Sequence, residues 1–565
     1  MSLFERILEA RGLEGEAKEA FLRPNYDARH DPFLLPDMRH AVDRLKSARD
    51  NNESIMIYGD YDIDGLTATT LLLDAFAQFG FSQVEAFIPN RFVEGYGMTI
   101  DAVERIATTG ATLIVTVDCG SLSELEIVRA KELGVDVIVT DHHNVAEVQP
   151  PAVAVINPKR LLADYPNEYE KFLLKKESAY HGKLYPFLDL PGVGVAFKLV
   201  QALQGEMDGL PHGQEKWLLD LVALGTVCDV VTLVDENRMH VYWGLKVLSQ
   251  TRRPGLKALM AVASVDPVKV NARSLGFGLG PRMNAAGRLE TATRALDMLR
   301  ENDGLKALEL AQHLDVMNTT RRADQDTILK AAIVQVQQYV DDDVLVVSSP
   351  GWNHGIVGIV AAKLLEKYSK PVFVLEEIGE QAKGSARSYG DFSAADAIRA
   401  ADDVISKGGG HRLAAGVTLA TKNIELFRRR VNDFYKQQKL TGQKQLLLPT
   451  ADVEATFSEV TELLIDEMAT LEPYGSGNPQ PILKSEHLLV IGLRRMGADA
   501  QHIKLELRDA MGDRLQMLAF SAPDHFFVEI GEYVTVWYQP DINEWNGRRT
   551  VEGRLLHLEL DDGAN

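Results

Sequence analysis

The stretch Tyr58-Gly-Asp-Tyr-Asp-Ile-Asp-Gly65 decides how the rest of the chain is read. Residues 54–58 form a short apolar run that reads as a strand, and residues 66–79, rich in Leu, Ala and Thr, read as a helix. The loop between them therefore sits at the carboxyl end of a strand, the edge where open α/β sheets bind ligands. Three aspartates at alternate positions, Asp60, Asp62 and Asp64, crowd like charges together. Carboxylates so close repel unless something positive compensates them, and a divalent cation is the economical candidate.

Working outward, the strand–helix rhythm continues. Residues 84–88, 112–117, 135–140 and 153–156 read as strands, and 99–107 and 123–133 as helices. Near-continuous apolar strands alternating with helices predict a parallel sheet covered on both faces. Two more strands end in the same chemistry: Val115-Thr-Val-Asp-Cys-Gly120 carries Asp118, and Ile138-Val-Thr-Asp-His-His143 carries Asp141, His142 and His143. A lone aspartate after a strand is ordinarily a cap or a turn residue. Three strand ends converging on carboxylates and imidazoles point instead to a metal centre. Oxygen and imidazole ligands without thiolates suit Mn²⁺ or Mg²⁺ better than structural zinc.

The chain has 565 residues, too many for one hydrophobic core, so several domains are expected. Residues 159–189 are polar and aromatic without clear periodicity. Helical patterns follow at 193–203 and 215–227, and one or two long helices at 290–340. A second α/β pattern (strand 344–347, helix 356–368, strand 372–375) ends near Gln437, with a linker over 435–444. Short strands at 488–493, 503–508, 515–520, 533–538 and 555–560 then predict a small β-barrel. The fold class is thus α/β, with a parallel-sheet domain, a second smaller α/β domain and a C-terminal barrel. The expected divisions are 1–50, 51–240, 241–340, 341–440 and 445–565.

Two cysteines, Cys119 and Cys228, exclude a disulfide framework and suit a reducing cytoplasm; both read as small buried residues. No apolar run reaches the ~18 residues of a membrane helix, and the start shows no basic segment leading into an apolar one. The net charge of −21 disfavours a broad nucleic-acid surface and leaves room only for local Arg and Lys clusters.

The aspartate loop, the Val-Asp-Cys-Gly strand end and the Asp-His-His triplet resemble the first three motifs of DHH phosphoesterases, and Gly225-Thr-Val-Cys-Asp-Val230 resembles the fourth. Gly408-Gly-Gly-His411 resembles the signature of the companion DHHA1 domain. Over about residues 20 to 560 the chain is similar to the RecJ exonuclease family. This resemblance implies that Asp62, Asp64, Asp118, His142 and Asp229 hold two divalent ions, Mn²⁺ or Mg²⁺, with Asp118 bridging. It makes Asp60 a further ligand or a partner of one, His143 the acid or polarising group, and Asp141 the residue that orients a histidine. Without the resemblance, Asp229 reads as an ordinary helix-end aspartate.

The resemblance further implies single-stranded DNA with a free 5′ end as substrate, released as nucleoside 5′-monophosphates in recombination and repair. Single-strand DNA-binding protein and a helicase would be the partners of a cytoplasmic monomer with no membrane association. Arg91, and Ser385 with Arg387 in Gly384-Ser-Ala-Arg-Ser388, match positions for the 5′ phosphate. Arg282, in Gly280-Pro-Arg-Met-Asn-Ala-Ala-Gly-Arg-Leu289, is assigned to the DNA backbone, while Asn284 and Arg288 are open between structure and substrate. His411 either touches substrate phosphate or orders its glycine loop. Arg321 and Arg322 either line a DNA channel or form a solvated face. The OB-type barrel, entered through Leu471-Glu-Pro-Tyr-Gly-Ser-Gly-Asn-Pro479, offers Tyr538, Trp545, Arg548 and Arg549, with one of Trp537 and Tyr538 in the core. The segment 159–189 has no assigned role, and neither has His354. Two other readings compete: a DHH phosphodiesterase of short oligonucleotides or cyclic dinucleotides, and an inactive DNA-binding scaffold.

Overall fold

The computed structural model describes residues 1–95, 97–175, 182–438, 448–497, 500–545 and 547–561. The chain divides into two compact units: Met1–Gly287, Thr291–Gln312 and Pro449–Asn565 in one, Arg288–Glu290 and His313–Leu448 in the other.

The first unit holds a five-stranded sheet of β1 (Ile55–Gly59), β2 (Val84–Phe87), β3 (Leu113–Val117), β4 (Asp136–Thr140) and β5 (Ala154–Ile156), in the order β2-β1-β3-β4-β5. Every pairing is parallel, as the continuous apolar strands predict. β1 and β3 are buried along their whole length, so their side chains meet covering layers on both faces. The parallel direction puts all five carboxyl ends on one edge. The helix Ile63–Gln78 leaves that edge, and its buried face packs on the helices Gly192–Gln204 and Leu219–Cys228.

The described part of 159–189 (residues 159–175 and 182–189) is more regular than its sequence suggests. It contains the helices Arg160–Asp164 and Pro166–Lys175, and buries Tyr169 and Tyr185. The Tyr169 hydroxyl donates to the Tyr185 carbonyl at 3.1 Å, and the Tyr185 hydroxyl reaches Glu236. Aromatic anchors fix this segment rather than an amphipathic repeat, which is why no period is visible.

The same unit contains the barrel: β11 (Val453–Glu454), β12 (Leu483–Met496), β13 (His502–Arg508), β14 (Arg514–Ala519), β15 (Tyr533–Trp545) and β16 (Arg548–Leu560). The five long strands run β12-β13-β14-β16-β15, and β15 pairs back onto β12 to close the ring. Its core also takes Leu3, Phe4, Ile7 and Leu8 from the helix Leu3–Ala10, so the two ends of the chain share one core. Tyr538 lies fully buried there, its hydroxyl 3.1 Å from Ser485 Oγ, and so is not a DNA contact. Trp537, on the other side of the strand, is half-buried between Lys484 and His557. The side chain of Trp545 lies outside the described residues.

The second unit is a mixed sheet of β6 (Leu345–Pro350), β7 (Val372–Ile378), β8 (Gln381–Arg387), β9 (Ile405–Gly410) and β10 (Ala414–Ala420), ordered β6-β7-β8-β10-β9. Only β6 and β7 are parallel. The glycine run Gly408–Gly410, read as a loop, is the end of edge strand β9, its residues paired with Val417, Gly416 and Ala415. Glycines carry no side-chain alternation, so this strand has no sequence period to betray it. Tyr435, assigned to a linker, belongs to the helix Ile424–Gln437 and packs on the core; residues 439–444 of that linker lie outside the described residues. The long helices read at 290–340 are Thr293–Arg300 and Gly304–Val336. Among described residues no helix is long and apolar enough to cross a membrane.

Candidate active site

Asp60, Asp62 and Asp64 follow β1 and open the helix Ile63–Gln78. Asp62 is its cap, accepting from the Gly65 amide at 3.1 Å. Gly65 is needed here because a Cβ would fall 2.5 Å from the Asp60 carbonyl oxygen. Asp64, fully buried, accepts from the amides of Gly192 at 2.6 Å and Val193 at 2.9 Å. These two amides start the helix Gly192–Gln204, whose amino end favours negative charge. Asp118 follows β3 in the left-handed region at φ +62°, a conformation uncommon for a residue other than glycine. Its amide donates to Thr140 of β4 at 3.0 Å.

After β4 the Asp-His-His triplet divides its work. Asp141 Oδ1 accepts from the His142 amide at 2.7 Å, the His143 amide at 3.1 Å and His143 Nδ1 at 2.9 Å, while Oδ2 accepts from Ser121 N. It is thus saturated and holds the ring of His143, while of His142 it holds only the amide. His142 Nε2 points at three carboxylates: Asp118 Oδ1 at 3.1 Å, Asp229 Oδ2 at 3.6 Å and Asp64 Oδ2 at 3.9 Å. Asp229 reaches this point as the C-cap of the helix Leu219–Cys228, a position no local pattern marks.

The electrostatics of the cluster are those of a site built for cations. Burial first, then the negative charge of Asp62, pushes Asp64 up to about 7. Burial, with Asp64 and Asp62, pushes Asp229 up to about 9. Asp118 and Asp60 are raised well above the carboxylate range by burial and by their acidic neighbours. Burial and then His143 hold His142 down to about 3, so its imidazole is neutral and can offer a lone pair. For Asp141 burial works against ionisation, but the hydrogen bond and charge of His143 outweigh it and hold the carboxyl low. Burial likewise opposes protonation of His143, and the bond to Asp141 overcomes it, raising His143.

A fit to divalent ions is written in the unsatisfied atoms. Asp60 Oδ1, Asp118 Oδ1, His142 Nε2 and Asp229 Oδ2 are buried without a hydrogen-bond partner among the described residues. Such orphans are rare and costly in a folded chain. Three ligand-competent groups overlap here: Asp118 with His142 and His143, Asp64 with His142 and Asp229, and Asp60 with Asp62 and Asp118. Asp118 and His142 each belong to two of them.

The chain matches the models of the DHH family N-terminal domain over residues 54–226, the DHHA1 domain over 341–437 and the RecJ OB domain over 451–557. Across 553 residues it is 37% identical to the single-stranded-DNA-specific exonuclease RecJ of Bacillus subtilis, covering 97% of this chain and 66% of that one. Against RecJ of Dickeya dadantii the identity is 33% over 583 residues, covering 99% and 96%. The chain belongs to the RecJ family. The crystal structure of RecJ from Thermus thermophilus in complex with Mn²⁺ superposes with a TM-score of 0.81 at 28% identity, covering 99% of this chain and 76% of that one.

The other residues singled out from the RecJ pattern are distributed as follows. Arg91 stands over the ring of Tyr61, 5.2 Å from its centroid, and its charge acts on Asp60. Arg282, on the helix Gly280–Leu289, donates Nη1 to the Gly278 carbonyl at 2.7 Å. In the second unit Ser385 and Arg387 share one face of β8. A Cβ on Gly358 would lie 3.2 Å from Arg387 Nη2 and 3.3 Å from Ser385 Oγ, so both side chains converge on the first turn of the helix Val357–Tyr368. A helix amino end flanked by a hydroxyl and a guanidinium is suited to phosphate. His411 is exposed in the turn after β9, its amide bonded to the Ala414 carbonyl. Arg321 is buried and tied to Asn318 and Gln325 of its own helix, so it is a structural residue, while Arg322 is exposed. Arg288 donates to the Gly355 carbonyl and His354 is held by Glu376, giving both a local structural duty. Arg549 pairs with Asp466 and Glu462, and Arg548 is exposed.

Four contributing residues escaped the sequence reading. The Gly192 and Val193 amides neutralise Asp64 in part, yet backbone donors carry no residue signature. Lys159, whose charge acts on both His142 and Asp229, and Asn157, which donates to Ser121 Oγ and the His143 carbonyl, follow β5. Asn157-Pro-Lys159 ends the fifth strand of the same sheet, and that position was the available signal.

Proposed function

We propose that the chain is a single-strand-specific 5′-to-3′ exodeoxyribonuclease, and the observation that carries this is the set of four unpartnered buried atoms on Asp60, Asp118, His142 and Asp229. Asp62, Asp64, Asp118, His142 and Asp229, with Asp60, would hold two Mn²⁺ or Mg²⁺ ions. Bound there, the pair supplies Lewis acidity toward the phosphodiester and the attacking water. Asp118, which offers an oxygen to two of the ligand groups, would serve both ions. Gly192 and Val193 fix both oxygens of Asp64 so that it presents one orientation. His143 keeps its proton through the bond between Nδ1 and Asp141, which leaves Nε2 to donate to a phosphate oxygen or to the departing 3′ oxygen.

Each cut then releases a nucleoside 5′-monophosphate and leaves a new 5′ phosphate, for which Arg91, Ser385, Arg387 and His411 are the proposed anchors and Arg282 a backbone contact. Trp537, with Lys484 over its ring, and the exposed Arg548 are the proposed single-strand contacts of the barrel. Such an enzyme acts as a cytoplasmic monomer in recombination and repair. A helicase and single-strand DNA-binding protein would provide the strands that a duplex withholds.

The test is digestion of 5′-labelled and 3′-labelled single strands in Mn²⁺, beside the duplex. Immediate release of labelled mononucleotide from the 5′ end, with the duplex spared, is expected. Asp118→Ala should abolish it and reduce the Mn²⁺ stoichiometry seen by calorimetry while single-strand binding survives. Residual cleavage above a few per cent would refute the ligand assignment. Cleavage confined to oligomers of a few nucleotides would favour the small-substrate phosphodiesterase, and binding without cleavage the scaffold.

A further inference from the structure

Phe277 is 73% exposed, more than any other aromatic side chain among the described residues with large exposed apolar surface. It sits in a π-turn, Ser274–Leu279, that runs directly into the helix Gly280–Leu289. Such turns are rare, cost backbone geometry and concentrate at functional sites.

The turn is moored to the metal-ligand cluster. A Cβ on Gly280 would fall 2.8 Å from Cys228 Sγ and 3.4 Å from Ile63 Cδ1, and one on Gly276 would lie 3.7 Å from Val227 Cγ1. Cys228 immediately precedes Asp229, and Ile63 immediately follows Asp62. Beyond Asp229, Val230 is 69% exposed with φ +62°, a conformation a β-branched residue adopts only where the surroundings enforce it. Leu275 and Leu279 are buried, so Phe277, between them, faces outward.

The charge pattern points to the occupant. In a chain of net charge −21, residues 267–289 contain Lys269, Arg273, Arg282 and Arg288 and no aspartate or glutamate. The Arg273 guanidinium lies over the Phe277 ring, 5.6 Å from the centroid, and Arg282 follows on the next turn. A ring with a guanidinium over one face offers the other to a nucleobase of any sequence, the base stacking while the cation meets a phosphate.

We propose that Phe277, with Arg273, is a base-stacking platform beside the metal cluster that positions single-stranded nucleic acid for cleavage. The proposal deepens the nuclease reading and rests on it for the word cleavage, but not for binding. Phe277→Ala and Phe277→Trp are made in the full chain, with thermal melting to verify folding. Kd for a labelled oligothymidylate is measured by anisotropy in chelator, and KM and kcat separately in Mn²⁺. Phe277→Ala is expected to raise Kd and KM about tenfold with kcat within about twofold, and Phe277→Trp to restore both. On a fully abasic strand the difference between wild type and Phe277→Ala should vanish. A folded Phe277→Ala with wild-type Kd and KM overturns the platform. So does a tenfold loss that persists on the abasic strand. A wild type that binds but never cuts would sink the nuclease reading and leave the platform to be judged on the Kd ratio alone.

Discussion

Gly192→Ala is the substitution that most directly probes how the site is held together. The added methyl would fall 2.6 Å from Asp118 Cβ, 2.8 Å from its Oδ1 and 2.9 Å from its Cα. Ordinary contact begins at 3.4 Å, so the helix start or Asp118 must yield by about 0.8 Å. Neither is a flexible tip: Asp118 is pinned through its amide to β4, and Gly192 is bonded to Asp64 at 2.6 Å. Overpacking of this kind costs about 1–3 kcal/mol. A shift of the helix start lengthens the amide bonds to Asp64, each worth about 1.5–3 kcal/mol as a bond to a charged group, while Asp118 takes up the rest. Two carboxylates in the ligand set therefore move at once. A loss of about ten- to a hundredfold in Mn²⁺ affinity is expected, the usual consequence of disturbing a ligand's support. Calorimetric Mn²⁺ titration and the Mn²⁺ concentration for half-maximal digestion read it directly. Gly304→Ala, where a Cβ meets nothing within 4 Å, is the control. A folded Gly192→Ala with Mn²⁺ affinity within twofold of wild type would refute the reasoning.

Two further outcomes follow from other parts of the first unit. The Arg238 guanidinium donates to the carbonyls of Phe21, Leu471, Glu472 and Pro473, tying the entry of the barrel to the helix Asp235–Leu248; Arg238→Met should cost about 3 kcal/mol and weaken single-strand binding more than turnover, and an unchanged melting temperature would contradict it. For the same reason the barrel cannot be cut away cleanly, since its removal also uncovers Leu3, Phe4, Ile7 and Leu8. His240 is fully buried and pushed down to about 4, by burial first and the Lys198 charge among the rest, so the unfolded chain takes up its proton before the folded one does. Stability from this residue is present above about pH 6.5 and is lost as pH falls toward 4, on the order of 3 kcal/mol. Urea midpoints from pH 7 to 4.5 should fall less steeply in His240→Leu, and parallel slopes in the two proteins would exclude the linkage.

Much of this was legible before any coordinates. The apolar strands of the first sheet, each followed by its own chemistry, dictate a parallel sheet because only burial on both faces tolerates such runs. That alone brings Asp60, Asp62, Asp64, Asp118, His142 and His143 to one edge, since parallel strands share a carboxyl end. The strands of the barrel were visible for a similar reason: alternation and turn residues are local signals.

What tertiary structure decided is everything that depends on which surfaces meet. Asp229 joins the cluster only because its helix packs against the Ile63–Gln78 helix, and Asp141 chooses His143 over His142 only through the geometry of the turn. Tyr538 and Arg321 look like nucleic-acid contacts in one dimension and are a core residue and a helix brace in three. The neutralising amides of Gly192 and Val193 belong to no residue type at all. Sequence by itself determines periodicity and the order of chemical groups along the chain. Only packing determines which of those groups lose water together, and that shared loss of solvent makes the carboxylates here a site rather than a list.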